Sequence, residues 1–192
     1  FGSSKLRFSI FYNNLNNKFY ISKSVKLENN FEAHFNEINN LIKHSEKKIK
    51  SHIKDLILII DSKEMFYIDL SLDKNFTKKI KFEKAFKIFI LEIKQIISSN
   101  YENLEIIHII NSKCIIDKKT FFGLPKNETN FNNLKIDFKI ICLPKKLTNL
   151  LRYNLNKINL NLSNIFCASY VKSLAYLNKL NLNKVSFLDI GY

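Results

Sequence analysis

Apolar residues in this chain recur at every second position, then at every third or fourth, then at every second again. A chain that changes period in this way must mix strands with helices. Leu6 to Tyr12 (LRFSIFY) and Lys18 to Ser24 (KFYISKS) are short β-rich runs joined by Asn13-Asn14-Leu15-Asn16-Asn17. Asparagine tolerates left-handed turn geometry, so the pair reads as a hairpin. Phe31, Phe35, Ile38, Ile42, Ile49 and Ile53 then recur at helical spacing, with Asn29 and Glu32 placed as a cap and its partner. The opposite side of that helix carries Lys43, Lys47, Lys50 and Lys54, which read as a solvated stripe.

Leu56 to Asp61 follows as a buried strand, and Phe66 to Leu72 alternates as a half-buried one. A second helix is expected from Phe82 to Ser98. Leu104 to Ile110 and Cys114 to Asp117 read as a hairpin turning at Asn111-Ser112, and Leu134 to Cys142 as another strand. After Pro144 come a helix through Leu147 and Leu151, a strand at Asn164 to Cys167, a helix from Ala168, and a last strand at Val185 to Ile190. The order ββα, ββαβββ, αβαβ implies a mixed α/β (α+β) fold whose middle block has its own character.

Charge has to be read against composition. The net charge of +14 would ordinarily raise nucleic acid as a partner, but only Arg7 and Arg152 are arginines. Ile, Lys, Asn and Phe make up roughly half of the chain, and all four use codons made largely of A and T. Codon bias therefore accounts for the lysines, and no nucleic-acid partner is expected. Cys114, Cys142 and Cys167 are far apart in apolar runs and read as buried thiols in a reducing compartment. The longest aliphatic run, Leu56 to Ile60, is too short to span a membrane, and no signal peptide opens the chain. The first residue is Phe1, in what reads as mid-strand sequence, so the chain reads as a piece of a longer protein.

Glycine is the sharpest clue to a site. Three occur, where average usage would give roughly 13, so glycine is expected mainly where a side chain would not fit. Gly2 lies in Phe1-Gly2-Ser3-Ser4-Lys5 and Gly191 in Asp189-Ile190-Gly191. Such turns let backbone N–H groups and serine hydroxyls approach phosphate oxygens, Lys5 adds a positive charge, and Asp189 would orient magnesium through water. The same residues also fit two ordinary strand-end turns. No nucleophile–base constellation, zinc motif, Walker loop or dinucleotide fingerprint occurs.

Phe1-Gly2-Ser3-Ser4-Lys5 resembles the phosphate-1 loop of actin-like ATPases, and Leu188-Asp189-Ile190-Gly191 resembles their phosphate-2 loop. Leu104 to Asp117, Phe121 to Pro125, Leu134 to Cys142, Ser163 to Leu177 and Phe187 to Gly191 follow in an order similar to that of the FtsA family of bacterial cell division proteins. That resemblance implies an actin-like (ribonuclease H-like) ATPase lobe carrying an inserted strand-helix-strand-strand (SHS2-type) subdomain. Residues 1–54 would begin the lobe, 55–143 would be the insert, 144–184 the rest of the lobe with a connector helix, and 185–192 the first strand of a second lobe. It further implies nucleotide contacts by Gly2, Ser3, Ser4, Lys5, Asp189 and Gly191, with ATP and Mg2+ as ligands of the intact protein. No residue is assigned a catalytic role, and Tyr192 beside the second loop points to weak or absent hydrolysis.

The partners so implied are FtsZ, further copies of the chain in protofilaments, and other divisome proteins met through the insert. A C-terminal helix outside this chain would hold the protein on the cytoplasmic face of the inner membrane at the division site. The alternative expectation is a PilM-like scaffold of type IV pilus assembly that binds a peptide of a membrane protein.

Overall fold

A computed structural model of the chain describes residues 5–14, 17–26, 31–125 and 130–180. It is mixed α/β, and residue contacts divide it into two compact units. One unit is continuous, Glu64–Thr148; the other gathers the described residues on either side of it in sequence.

In the discontinuous unit, β1 (Lys5–Asn14) and β2 (Asn17–Lys26) pair antiparallel, in a register running from Lys5 opposite Lys26 to Asn14 opposite Asn17. The helix α1 (Phe31–Ile49) buries Phe35, Ile38 and Ile42, which fall on one face by their spacing. Ser45 is also buried and donates its hydroxyl to the Leu41 carbonyl at 2.8 Å, so its polar atom is satisfied within the helix. The helix stops at Lys50, whose φ of 52° is left-handed. Lys47 and Lys48 stand in its last turn, where positive charge offsets the helix dipole. The cap expected at Asn29 lies outside the described residues.

The strands β3 (Asp55–Ile60) and β8 (Asn161–Cys167) pair in parallel, with one register shift after Leu56. Leu58 and Ile60 are buried, while Ile57 and Ile59 are 58% and 48% exposed. Because β3 pairs with β8, it belongs to this unit, and the continuous unit that separates the two strands in sequence runs from Glu64 to Thr148. A helix α3 (Lys145–Asn156) leads into β8, and α4 (Ala168–Leu180) leaves it and packs on both strands. Among the described residues, β1–β2 and β3–β8 remain separate two-stranded sheets.

The continuous unit is a four-stranded antiparallel sheet in the order β4-β7-β5-β6, with one helix on one face. Its strands are β4 (Phe66–Ile80), β5 (Leu104–Ile116), β6 (Lys119–Phe121) and β7 (Phe131–Pro144). The helix α2 (Phe82–Asn100) buries Ala85, Phe89, Ile93 and Ile97, one per turn. These meet Leu134, Ile136, Phe138, Ile140 and Cys142 of β7 in a single core. Phe138 sits between two rings of α2, with centroids 6.0 Å from Phe86 and 6.3 Å from Phe89.

The expected hairpin at Asn111-Ser112 does not form. β5 runs straight through those residues with a register shift, because their side chains are bonded to neighbouring segments, one to the loop after β6 and one to β7. Asn111 Nδ2 donates to the Gly123 carbonyl at 3.1 Å, and Ser112 Oγ donates to the Asp137 carbonyl at 2.8 Å. The chain reverses instead at Asp117-Lys118, where both residues have positive φ (43° and 74°) as a two-residue hairpin turn requires.

Candidate assembly surface

Of the residues expected to bind nucleotide, Lys5 opens β1 opposite Lys26. Gly2, Ser3, Ser4, Asp189 and Gly191 lie outside the described residues, as does the last expected strand. The surfaces that can be built from residues upward are therefore those of the two units.

The open edge of β4 is the longest. This strand pairs with β7 along one side, and among the described residues no strand lies along the other. From Phe66 to Asn75 the register with β7 is unbroken; between Asn75 and Ile80 it shifts, so four residues of β4 bulge away from the ladder. The bulged half carries Lys78 and Lys79, and bulges and edge lysines are devices that discourage further strand pairing. The regular half is unbulged, carries the single lysine Lys74, which is engaged by Glu92 Oε2 at 2.7 Å, and exposes Phe66 and Tyr67 by 51% and 54%. Its backbone groups are the natural place for another strand to add.

The sheet face away from α2 is polar in rows. Asp69 stands opposite Lys139 and Ile110, Ser71 opposite Asp137 and Lys113, and Asp73 opposite Lys135 and Ile115. Lys139 Nζ approaches Asp69 Oδ1 at 3.2 Å, and Ser71 Oγ donates to Asp137 Oδ1 at 2.6 Å. Each lysine of this face thus has an aspartate within one strand, so the face is nearly neutral and offers no anion site. A further row runs from Tyr67 through Ile141 to His108, whose pKa is held below its ordinary value of 6.5 by burial.

The end of the sheet beyond β6 differs. Asp117 turns its carboxylate back to accept the Asn133 N–H at 2.9 Å, which leaves Lys118 and Lys119 exposed at the turn. Phe121 packs against the core, Gly123 takes a φ of +90°, and Phe122 and Leu124 project with 79% and 60% exposure. Asn111 fastens this loop to β5, a contact between residues twelve apart that no local sequence pattern announces.

In the other unit, a hollow of about 260 Å³ is lined by Lys43, Glu46, His52, Lys157 and Asn159 among others. Glu46 Oε1 accepts the Ile53 N–H at 2.8 Å and also meets His52 Nδ1. Lys157 Nζ lies 4.4 Å from the centre of the Tyr153 ring. These contacts tie the end of α1 to the chain leading into β3, which accounts for the cluster structurally. No helix among the described residues is long and apolar enough to cross a membrane.

Neither a protein-family model nor a curated protein sequence matches this chain.

Proposed function

We propose that the chain is the nucleotide-binding lobe of an FtsA-like, actin-fold assembly protein. One observation supports this most: a self-contained unit of one helix and four strands (β4-α2-β5-β6-β7) interrupts the sequence between two parallel neighbouring strands, β3 and β8. Phosphate-facing turns at Gly2-Ser3-Ser4-Lys5 and Asp189-Gly191 would bracket the lobe in sequence and hold ATP with Mg2+. Nucleotide would act as a conformational ligand more than as a substrate. The inserted unit would join protomers into protofilaments and meet other divisome proteins. The whole protein would tether FtsZ to the cytoplasmic face of the inner membrane.

The regular half of the β4 edge is the surface this reading assigns to protomer contacts, because its backbone groups and the Phe66 and Tyr67 side chains are open together. The test is co-pelleting of the full-length protein with lipid vesicles and purified FtsZ, with and without ATP. FtsZ carried down only when the protein is present supports the tether, and its ATP dependence reports on the phosphate turns. A protein that stays in solution and ignores FtsZ overturns it in favour of a PilM-like pilus-assembly scaffold.

A further inference from the structure

The loop that follows β6 combines three features that ordinary surface loops do not combine. It exposes two large apolar side chains, Phe122 at 79% and Leu124 at 60%. It is held rather than loose: Phe121 is anchored in the core and Asn111 Nδ2 bonds the Gly123 carbonyl at 3.1 Å. The turn at the other end of the three-residue β6 presents Lys118 and Lys119, while its one acid, Asp117, accepts the Asn133 amide. An apolar pair fixed in the outward position, near two exposed lysines that outnumber the one neighbouring acid among the described residues, is complementary to a surface that is negative outside and apolar beneath.

We propose that β6 with its turn and its loop is a lipid-binding element, with Phe122 and Leu124 at the loop tip entering the interfacial layer of an anionic bilayer and Lys118 and Lys119 at the turn end lying among its headgroups. The contact is made by residues of this chain, separately from any C-terminal membrane helix, and it does not depend on the actin-like reading. Fixing the loop beforehand matters because an ordered tip loses little conformational freedom on insertion. Gly123 serves the same end: its φ of +90° is one that side-chain-bearing residues rarely adopt, and it turns the chain so that residues on both sides point outward. The polar face of the sheet would not compete for the bilayer, since its lysines are each opposed by an aspartate.

The test uses the 192-residue chain and vesicle flotation, with phosphatidylcholine alone and with phosphatidylcholine mixed with phosphatidylglycerol. The chain is expected to float with the anionic vesicles and not with the neutral ones. Replacing Lys118 and Lys119 by Gln is expected to weaken partitioning about 25-fold, from about fivefold per lysine. Replacing Phe122 and Leu124 by Ser is expected to weaken it at least tenfold, with the thermal transition unchanged because neither side chain is packed. The chain contains no tryptophan, so Phe122→Trp gives a single reporter whose emission should shift to the blue on adding anionic vesicles. A chain that does not float, or an unmoved Trp emission, overturns the proposal. So does flotation retained by both tip variants and lost when Lys43, Lys47 and Lys50 are replaced, which would move the contact to α1. Finally, if the Ser variant abolishes a dimer seen without vesicles, the tip is a protein contact and not a lipid one.

Discussion

In the inserted unit, β4 alternates apolar and polar residues, and the sheet it edges is covered by α2 on one face and wet on the other. In the flanking unit, β3 is apolar at five consecutive positions (LILII), yet Ile57 and Ile59 are half open to solvent. The two strands carry different instructions. Alternation specifies one buried face, whereas a continuous run belongs to a parallel strand covered on both. The insert satisfies its instruction within 85 contiguous positions (64 to 148), so it holds a complete core of its own. β3 is satisfied on one side only among the described residues.

The contrast can be broken most forcibly at Phe138. Truncation to Ala should cost about 3–5 kcal/mol, because the ring is buried between Phe86 and Phe89 and the sheet cannot collapse around the void. Denaturant unfolding followed by circular dichroism should then show an early transition from the insert alone. A single transition shifted as a whole would mean the two units unfold together.

High pH should act on the same unit. Cys114 and Cys142 are fully buried, and burial pushes both thiols up to about 11 from an ordinary 9.0. Below pH 9 folded and unfolded chains both keep these protons. Between about 9 and 11 only the unfolded chain releases them, so stability falls by up to about 1.4 kcal/mol per thiol for each pH unit. Melts across that window should show the loss, and Cys→Ala at both positions should flatten it. At the acid end His108 works in the other direction of pH: the unfolded imidazole takes up a proton near 6.5 that the folded one resists, so stability declines on acidification.

Leu58→Ala tests the flanking unit. Its cost should be about 2 kcal/mol, the low end for a buried leucine, since the strand is packed from one face. A loss as large as that at Phe138 would show that β3 is covered more completely than Ile57 and Ile59 suggest. Lys118→Gly should stabilise the insert by about 0.5–1 kcal/mol, because it relieves a left-handed lysine. Asp69→Ala should cost only about 0.2–1 kcal/mol, as one exposed cross-strand pair with Lys139 is lost.

Element type was legible wherever the period was long. Phe35, Ile38 and Ile42 identify α1, and Phe82 to Ile97 identify α2, since a face repeated over five turns has one interpretation. The β5–β6 region was not legible. Asn111-Ser112 has the composition of a turn but is held inside a strand by Gly123 and Asp137, whereas Asp117-Lys118 lacks the glycine that advertises a hairpin. The extension of β4 through Ile80 was missed for a related reason: its bulge puts four residues against one, which erases the alternation. Nor could Phe122 and Leu124 be recognised as exposed, because exposure there depends on a hydrogen bond from another strand.

The ends of the inserted unit have a consequence for how the chain acquires its fold. Phe66, near the start, is paired with Cys142, near the end, so the folded insert brings its own two connections side by side. β3 and β8, by contrast, are distant in sequence; the Asn161 Nδ2 bond to Asp55 Oδ1 at 2.8 Å joins residues 106 positions apart. Closing a loop of that length in an unfolded chain is an entropic penalty that must be met before any parallel pairing is rewarded. Once the insert has folded, most of the loop is already closed, and what remains to be ordered is the short run on each side of it. The insert is then a template for its host: the parallel pair should form late, and any change that slows the insert should slow the pairing of β3 with β8 in step.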